Sequence, residues 1–431
     1  MKKIEIGFLG CGNIGGGVWR MLCDMHREIE NRDGLSIHVK RVLVKDVAEA
    51  LALNASKGLE VPEEVLTENA ADVTDDKDIG IVCEFMGGEQ PAARFMTRAL
   101  ENGKTVITAN KVALALNWAQ LQAAAEKSGA GLWYEASVGG VIPVIRVLTT
   151  NLEADRINRV MGIINGTTNY ILTRMTKEGK DYAEVLSEAQ RLGLAEPNPE
   201  ADVEGMDAGY KLSILASLAF HGRVTYQRIY REGITDVSAT DIAFGREMGY
   251  TLKLLAIAKK DGNVVECRVH PTFLPSDHPL AMVDGSLNAI FIHGDYCRDM
   301  MLQGRGAGEK PTSSAICGDI VSAALSLKPR YPSFKNTPED CESFEFTDNW
   351  QTSAYIRLSA RDEKGVLTKV AGYFASEDVS IASMMQKNAS DDGRVQLIFI
   401  THPAPEQAIR RAIAHFDGSI CRLETMIRVE E

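Results

Sequence analysis

Residues 4–17 read IEIGFLGCGNIGGG, a short apolar run that leads directly into closely spaced glycines. The run Ile4–Leu9 predicts a buried β-strand, and apolar residues at helical spacing from Val18 onward predict a helix. Three glycines of the intervening turn follow the G-x-G-x-x-G spacing, namely Gly10, Gly12 and Gly15. Because glycine permits a tight turn and a close approach of backbone to phosphate, this pattern predicts a dinucleotide-binding site with the pyrophosphate at the helix N-terminus.

Strand and helix patterns continue to alternate beyond this turn. The predicted strands are Ile37–Val44, Ile79–Phe85, Thr105–Thr108 and Leu132–Glu135. This alternation is typical of an α/β fold with a Rossmann-type, doubly wound parallel sheet, here residues 1–145. Ligands of such sheets lie beyond the carboxyl ends of the strands, where Gly87 and Lys111 fall, and Lys111 is a candidate substrate or cofactor contact. A helix at about 311–327, which follows a glycine-rich loop, is predicted to complete this domain.

The end of the second predicted strand bears on the choice of dinucleotide. Lys45 and Asp46 follow this strand, where the fold meets the adenine ribose. Asp46 suits a free 2′-hydroxyl, whereas Lys45 suits a 2′-phosphate. The cofactor is therefore NADP or NAD, with a lean to NADP, and both residues could also be ordinary surface charges.

Residues 146–310 are predicted to form an α+β domain for substrate binding and dimerisation. Within it, residues 196–211 read EPNPEADVEGMDAGYK. The closely spaced prolines predict a stiff, extended loop, and a helix is predicted from near Met206 to about Phe220. Asp207 and Lys211 are four residues apart on this helix and share one face, so acids and an amine are crowded together. A solvated helix start with an ordinary ion pair is the alternative.

Two turns are predicted on either side of the boundary between these two domains. Residues 136–143 read ASVGGVIP, a glycine-containing turn that exposes backbone carbonyls to a hard cation or to water. Residues 165–168 read NGTT and are predicted to cap a helix that starts near Asn169.

The C-terminal part of the chain predicts a separate module. Residues 328–350 are rich in proline and acids and predict a linker. Residues 351–431 follow a β-α-β-β-α-β pattern, which indicates a ferredoxin-like fold. No motif in this module is catalytic, so a regulatory or pairing role is expected.

Composition excludes some classes of protein. The formal net charge of −12 argues against nucleic acid as a partner, because phosphate binding needs a basic surface. The eight cysteines contain no C-x-x-C pair, which favours free thiols in a reducing compartment. No apolar run approaches the roughly 18 residues of a membrane span. A cytoplasmic protein that does not associate with membranes is expected.

Taken together, the motifs resemble homoserine dehydrogenase of the long form, which carries a C-terminal ACT domain. The resemblance covers nearly the whole chain. Besides the glycine turn, it rests on TANK (108–111), YEASVGGVIP (134–143), NGTTNYIL (165–172), LGLAEPNPEADVEGMDAGYKL (192–212) and GRGAGEKPT (304–312). The resemblance implies reversible, NAD(P)-dependent reduction of aspartate 4-semialdehyde to homoserine, a step of threonine and methionine biosynthesis.

The resemblance also implies roles for individual residues. Lys211 corresponds to the catalytic lysine of the family, and Asp207 to its aspartate partner. Glu196 and Asp202 correspond to carboxylates that hold the amino group of the substrate and the surrounding hydrogen bonds. Lys111 corresponds to a lysine at the substrate and the nicotinamide.

Further correspondences concern the cofactor, a cation and an effector. The resemblance implies cofactor contacts at Gly12, Asn13, Ile14, Gly87, Gly193 and Gly308, with Lys45 near the ribose. It implies that a monovalent cation such as Na⁺ is held by the backbone carbonyls of Glu135, Val138, Gly140 and Ile142, although Val141 departs from the glycine-richer family pattern. In the ACT domain, an amino acid such as threonine would bind near Gly365. The family is oligomeric, so at least a homodimer is expected.

Two other functions are consistent with the fold class. A phosphorylating semialdehyde dehydrogenase would need a cysteine nucleophile and a base, but Cys11, Cys83 and Cys317 fall within the dinucleotide turn or regular elements. A catalytically inactive, amino-acid-sensing protein could keep the cofactor fold, since fold alone does not determine activity.

Overall fold

The computed structural model describes residues 1–326, 340–387, 394–416, 418 and 420–430. The chain divides into two compact units, each assembled from separate segments. The first unit comprises Met1–Val160, Gly209–Ile229 and Asn288–Phe344. The second unit comprises Met161–Ala208, Tyr230–Leu287 and Glu345–Glu431.

The first unit begins with a sheet in which every pairing is parallel. Its elements are β1 (Lys2–Leu9), α1 (Asn13–Asp24), α2 (His26–Asp33), β2 (Leu35–Leu43), α3 (Val47–Ser56), β3 (Leu66–Thr67), α4 (Ala71–Thr74), β4 (Ile81–Glu84), α5 (Ala92–Glu101), β5 (Thr105–Thr108), α6 (Lys111–Ser128) and β6 (Leu132–Trp133). The strand order is β3-β2-β1-β4-β5-β6. All residues of β4 are buried, as expected when helices cover both faces of a parallel sheet. The predicted Rossmann-type sheet is confirmed.

The middle of the chain contributes to both units. Its elements are α7 (Val144–Arg146), β7 (Ile157–Ile163), α8 (Gly166–Glu178), α9 (Tyr182–Arg191), α10 (Glu200–Val203), α11 (Met206–Ala219), β8 (Tyr230–Arg231), α12 (Ala239–Glu247), β9 (Tyr250–Asp261), β10 (Val264–Pro275), β11 (Leu287–Gly294), β12 (Arg298–Arg305) and α13 (Glu309–Leu325). Short 3₁₀ or π turns lie at Glu63–Val65, Glu135–Ser137, Val147–Asn151, Tyr226–Arg228 and Pro279–Met282.

Helix α13 packs on the dinucleotide sheet although it lies far along the chain. Ile316 and Ile320 of α13 belong to the same buried cluster as Val18 and Leu22 of α1. The two helices approach closely because α1 carries Gly17, where a Cβ atom would lie 2.5 Å from the Cγ atom of a glutamate at the start of α13. A larger residue at this position would therefore separate the helices.

Three local predictions differ from the structure. The loop at 196–205 is not extended throughout, because α10 begins after Pro199, and proline is compatible with a helix start. The predicted cap at 165–168 is a single residue, Asn165, so α8 starts at Gly166 and not near Asn169. The strand predicted at Leu132–Glu135 ends at Trp133 and gives way to a 3₁₀ turn.

In the second unit, the C-terminal module continues the sheet of the preceding segment. Its elements are β13 (Glu345–Phe346), β14 (Gln351–Arg361), α14 (Val366–Ser376), β15 (Ile381–Lys387), β16 (Arg394–Thr401), β17 (Ala404–Pro405), α15 (Glu406–Ala414) and β18 (Cys421–Val429). The order β18-β14-β16-β15 is antiparallel throughout, consistent with the predicted β-α-β-β-α-β pattern. Strand β18 also pairs in parallel with β10, which forms an antiparallel hairpin with β9.

Buried and partly buried ion pairs reinforce the second unit where the C-terminal module joins the preceding sheet. Asp241 of α12 receives two hydrogen bonds from Arg357 of β14, from Nε at 2.6 Å and from Nη2 at 3.0 Å. Arg428 of β18 donates to Glu406 of the same module at 2.8 Å and to Glu232 at 2.8 Å. Burial of each charge is thus compensated by a hydrogen-bonded partner. The C-terminal module is therefore an integral part of the second unit.

The predicted linker is described only in part. Residues 328–339 lie outside the described residues, as does residue 327 of the helix predicted at about 311–327. From residue 340 onward the segment is packed, since the backbone N–H of Cys341 donates to the carbonyl of Arg223 at 2.9 Å and β13 pairs with β10. In the described ranges, the helices lack the combined length and apolar character that a membrane span requires.

Candidate active site

The glycine turn has the geometry that dinucleotide binding requires. Gly10 has a φ of +101°, which residues with a Cβ rarely adopt. No side chain caps the N-terminus of α1, so the N–H groups of its first turn, which includes Asn13 and Ile14, can bind a phosphate. A Cβ at Gly12 would meet no atom within 4 Å, whereas one at Gly15 would lie 2.7 Å from the carbonyl oxygen of Gly10. The turn thus fits the cofactor, with Gly12 open and Gly15 packed.

The two charges after β2 have different surroundings. The Asp46 carboxylate accepts a hydrogen bond from the backbone N–H of Glu49 at 2.7 Å and caps α3. Lys45 is exposed beside it. Capping α3 is therefore a structural role for Asp46 that does not require a contact with the ribose of a cofactor.

Lys57 is a candidate cofactor contact that the sequence pattern does not reveal. Its Nζ donates to Oδ1 of Asn13, in the first turn of α1, at 2.7 Å. Arg20 donates to the carbonyl of Lys57 at 3.0 Å and to the carboxylate of Glu309 at 2.5 Å. These bonds also tie the glycine turn to the start of α13, where Gly308 has a φ of +111°. Lys57 follows α3 and belongs to no sequence motif, so only its contact with Asn13 in the folded structure identifies it as a candidate.

The loops that follow β4 and β5 are joined by hydrogen bonds. Asn110 donates to the carbonyl of Gly88 at 2.7 Å, and its Oδ1 caps α6 by accepting from the backbone N–H of Ala113 at 3.0 Å. Gly87 lies in the first loop, and Lys111 is the first residue of α6. Two predicted contacts, Gly87 and Lys111, are thus brought to one edge of the sheet.

The turn proposed for a cation is tightly built. Gly140 has a φ of +57°, and a Cβ there would lie 2.7 Å from the carbonyl oxygen of Arg305. The carbonyl of Ile142 accepts a hydrogen bond from the backbone N–H of Val144 at 2.8 Å, which leaves it one lone pair. Val138 is fully buried. Across the described residues, no cluster of three or more His, Cys, Asp or Glu side chains could hold a metal, so a cation here would depend on carbonyls.

Glu135 anchors this turn with its side chain. Its two carboxylate oxygens accept from the backbone N–H groups of Ile145 and Arg146, both at 2.9 Å. Its own N–H donates to Asp319 of α13, which also pairs with Arg146 at 3.0 Å. Burial, together with the neighbouring Asp319 carboxylate, raises the pKa of Glu135 to about 7, while the hydrogen bonds oppose this shift.

The raised pKa of Glu135 predicts a pH-dependent stability. Between pH 4.5 and about 7 the native state keeps a proton that the unfolded chain has lost, so stability falls as pH rises through this window. At about 1.4 kcal/mol per pKa unit, the loss is on the order of 3 kcal/mol. Urea unfolding at several pH values should show this slope, and Glu135→Gln should flatten it.

The surface variant Glu153→Gln serves as the control for this measurement, because Glu153 is exposed. Its stability should follow the parental pH curve. Parallel curves for Glu135→Gln and the parent would contradict the prediction.

In the second unit, Asn165 brings two predicted carboxylates together. Its Nδ2 donates to Asp202 at 2.7 Å and to Asp207 at 2.9 Å. Its Oδ1 accepts from the backbone N–H of Thr168 at 2.9 Å, which fixes the orientation of the amide. The two N–H groups of the Asn165 side chain therefore donate one hydrogen bond to each aspartate. We call Asn165, Asp202 and Asp207 the carboxylate cluster.

Lys211 lies one helical turn after Asp207 on α11, and the boundary between the two units falls within this helix. Asp207 and Lys211 are only 7% and 8% exposed, so neither belongs to a solvated surface. Glu196 differs, because it is exposed and is bonded through its carbonyl, which accepts from Gln190 at 3.2 Å. The structure does not place Glu196 in the carboxylate cluster.

Two predicted glycines lie in exposed turns of the second unit. Gly193 follows α9 with a φ of +70°, between the exposed side chains of Leu192 and Leu194. Gly365 has a φ of +88° and precedes α14. Both conformations favour glycine, and neither position carries a contact that identifies a ligand.

The buried cysteines have the wrong protonation state for a nucleophile. Burial raises the pKa of Cys11 to about 11 and that of Cys317 to about 12, and it raises the pKa of Cys83 as well. Because the thiolate is the reactive form, these residues do not suit thioester chemistry.

Comparisons with known proteins point to one family. The family model described as homoserine dehydrogenase matches residues 143–321, and the model described as the NAD binding domain of homoserine dehydrogenase matches residues 10–135. A homoserine dehydrogenase from Corynebacterium glutamicum is 40% identical over 443 residues, which cover 100% of this chain and 96% of the relative.

Two solved structures extend the comparison. The crystal structure of a homoserine dehydrogenase from Thiobacillus denitrificans has a TM-score of 0.92 and 38% identity, and the match covers 100% of this chain and 99% of that one. A hyperthermophilic archaeal homoserine dehydrogenase in complex with NADPH has a TM-score of 0.65 and 27% identity, and it covers 76% of this chain and 100% of its own.

Proposed function

This chain belongs to the homoserine dehydrogenase family, and from that premise we propose that Lys211 is the proton donor of its active site. The enzyme is an NAD(P)-dependent oxidoreductase that reversibly reduces L-aspartate 4-semialdehyde to L-homoserine, a step of threonine and methionine biosynthesis. The observation that carries the proposal is the buried pair on α11: Asp207, which accepts a hydrogen bond from Asn165, and Lys211 one helical turn later.

The chemistry requires a proton donor at the carbonyl oxygen. When bound, the reduced nicotinamide supplies the hydride that the aldehyde carbon accepts. Negative charge then grows on the oxygen, and the ammonium group of Lys211 stabilises it by a hydrogen bond and delivers the proton. Asp207 lies on the same face of α11, one helical turn before this amine. In the reverse direction Lys211 accepts the proton of the homoserine hydroxyl.

The acids recognise the α-ammonium group that substrate and product share. Asn165 orients the carboxylates of Asp202 and Asp207, and a carboxylate forms charge-assisted hydrogen bonds with an ammonium donor. We propose that Glu196 completes this site from its exposed position when substrate binds. We propose that Lys111 contacts the substrate and the nicotinamide, and that its ammonium group pairs with the carboxylate of the substrate.

We further propose that the turn at 136–143 holds a monovalent cation such as Na⁺ through the carbonyls of Glu135, Val138, Gly140 and Ile142. The positive φ of Gly140 and its close packing against Arg305 support this proposal, because they fix the backbone whose carbonyls would bind the ion. The bonds of the Glu135 carboxylate to the following helix would keep the turn in place with or without the ion.

An absorbance assay at the nicotinamide band tests the proposed function. Homoserine with NAD⁺ or NADP⁺ should give reduced cofactor. An increase that occurs only with aspartate 4-semialdehyde, phosphate and oxidised cofactor would instead indicate a phosphorylating dehydrogenase. The absence of any change, with dinucleotide binding intact, would indicate a sensing protein.

We propose NADP as the preferred cofactor. Lys45 is exposed at the ribose end of β2, so its ammonium group can meet a 2′-phosphate. Lys57 lies beside the glycine turn, where its ammonium group suits the pyrophosphate that both cofactors carry. Lys45→Ala should raise the KM for NADP⁺ about tenfold and leave that for NAD⁺ within about twofold, because a charge-assisted hydrogen bond is lost only with the phosphorylated ribose. Equal changes for both cofactors would contradict this preference.

The remaining assignments are proposals about organisation. We propose residues 1–145 with the helix near 311–327 as the dinucleotide domain, 146–310 as the substrate and dimerisation domain, 328–350 as a linker and 351–431 as an ACT domain. An amino acid such as threonine would bind near Gly365, and the enzyme would form at least a homodimer. The free cysteines of the described chain support a cytoplasmic location.

A further inference from the structure

Glu84, the last residue of β4, is completely buried and joins two loops. Its Oε1 accepts from the backbone N–H groups of Met86 at 2.7 Å and Gly87 at 3.3 Å. Its Oε2 accepts from the hydroxyl of Thr108 at 2.6 Å, and Oε1 also accepts from Nδ2 of Asn110 at 3.3 Å. Loops after two neighbouring strands are thus bonded to one carboxylate.

The donors around Glu84 are all neutral. Burial raises the pKa of its carboxyl group, and the four hydrogen bonds oppose that shift. Within the described ranges, no lysine, arginine or histidine pairs with it. Burying a carboxylate without a cationic partner costs free energy of folding. If Glu84 only stabilised the fold, an apolar side chain of similar volume would serve as well. The geometry of the donors therefore needs another explanation.

The two loops carry residues that the proposed function assigns to the cofactor and substrate. Gly87 donates directly to Glu84, and Asn110, which is bonded to Glu84, caps the helix that Lys111 begins. Both loops lie beyond the carboxyl ends of β4 and β5, where this fold binds its ligand.

We propose that Glu84 is a positioning residue for the nicotinamide end of the dinucleotide, because it fixes the Gly87 loop and the start of α6 relative to each other. This inference rests on the proposed roles of Gly87 and Lys111. Among the described residues, the side-chain hydrogen bonds of Glu84 go only to the segments that follow β4 and end β5, and not to the glycine turn or to Lys45.

Glu84→Gln in the full-length enzyme tests this role. Glutamine offers one acceptor oxygen and an NH₂ group that would face donors, so the two loops lose their common anchor. Titration with NADPH and with ADP-ribose 2′-phosphate, which lacks nicotinamide, separates the two ends of the site. We expect NADPH affinity to fall about tenfold and ADP-ribose 2′-phosphate affinity to stay within about twofold, with a reduced kcat. Equal losses for both ligands, or no loss for either, would overturn the proposal.

Thr108 supplies a second pair of variants if Glu84→Gln does not fold. Thr108→Val removes, at nearly constant volume, the hydroxyl that donates to Glu84 and accepts from the backbone N–H of Asn110, whereas Thr108→Ser keeps this hydroxyl. NADPH affinity should fall several-fold in Thr108→Val and remain parental in Thr108→Ser. Identical NADPH affinities in the two variants would overturn the proposal. These measurements need no turnover, so they are independent of whether homoserine is the substrate.

Discussion

Lys211→Met should reduce kcat for homoserine oxidation by about 10²- to 10⁴-fold, the range that a positioned acid–base group supplies. Methionine keeps the length and apolar stem of the lysine, so the buried position stays filled while the proton donor is lost. KM for homoserine should change far less than kcat, because the interaction with Lys211 strengthens as charge grows on the oxygen. Steady-state kinetics with saturating dinucleotide measure both constants.

The controls for this variant address folding and cofactor binding. NADPH affinity and the unfolding midpoint should remain close to parental. Lys127→Met, at the exposed end of α6, should have parental kinetics. Near-parental turnover in Lys211→Met would remove this residue from the mechanism, and a loss of dinucleotide affinity of similar size would assign it to the cofactor.

Gly12→Ala and Gly15→Ala should both abolish efficient dinucleotide binding, but only the second should destabilise the protein. A Cβ at Gly15 would lie 2.7 Å from the carbonyl oxygen of Gly10 and 3.0 Å from the ring of Phe85, so the turn must shift. Overpacking of this kind costs about 1–3 kcal/mol. A Cβ at Gly12 meets only open space in the protein and would occupy the approach to the pyrophosphate.

Chemical unfolding and NADPH titration of both variants separate these effects. Gly12→Ala should unfold close to the parental midpoint and bind NADPH at least tenfold more weakly, a loss of about 1.4 kcal/mol or more. Parental affinity in Gly12→Ala would show that the cofactor does not approach the backbone at this turn.

Elements with a strong pattern could be predicted from the sequence to within a residue. The strand predicted at Thr105–Thr108 is β5 with the same bounds, and the helix predicted from near Met206 to about Phe220 is α11, Met206–Ala219. In contrast, the pattern does not predict β9, whose residues from Leu252 to Ala258 are all buried. A strand that is buried on both faces lacks the two-residue alternation that distinguishes it from a buried helix.

Motifs indicated candidate site residues, but not the hydrogen bonds that orient them. Asn165 bonds Asp207 across 42 residues, and Glu84 bonds Thr108 across 24. The backbone of Glu135 meets Asp319 across 184 residues. The distance along the chain differs for each pair, so no sequence pattern marks these partners. Only the folded structure shows that the helix cap Asn165 and the strand end Glu84 hold other residues in position.

The packing of α13 on α1 has a consequence for biosynthesis. The bonded residues Arg20 and Glu309 are separated by 289 positions, so the ribosome completes most of the chain before the nucleotide-binding core receives its last helix. Until then, Val18 and Leu22 of the nascent polypeptide lack that cover and present an apolar surface to chaperones. A fragment cut after the sixth parallel strand would keep this exposed surface permanently, and we expect it to aggregate unless the distant helix is supplied.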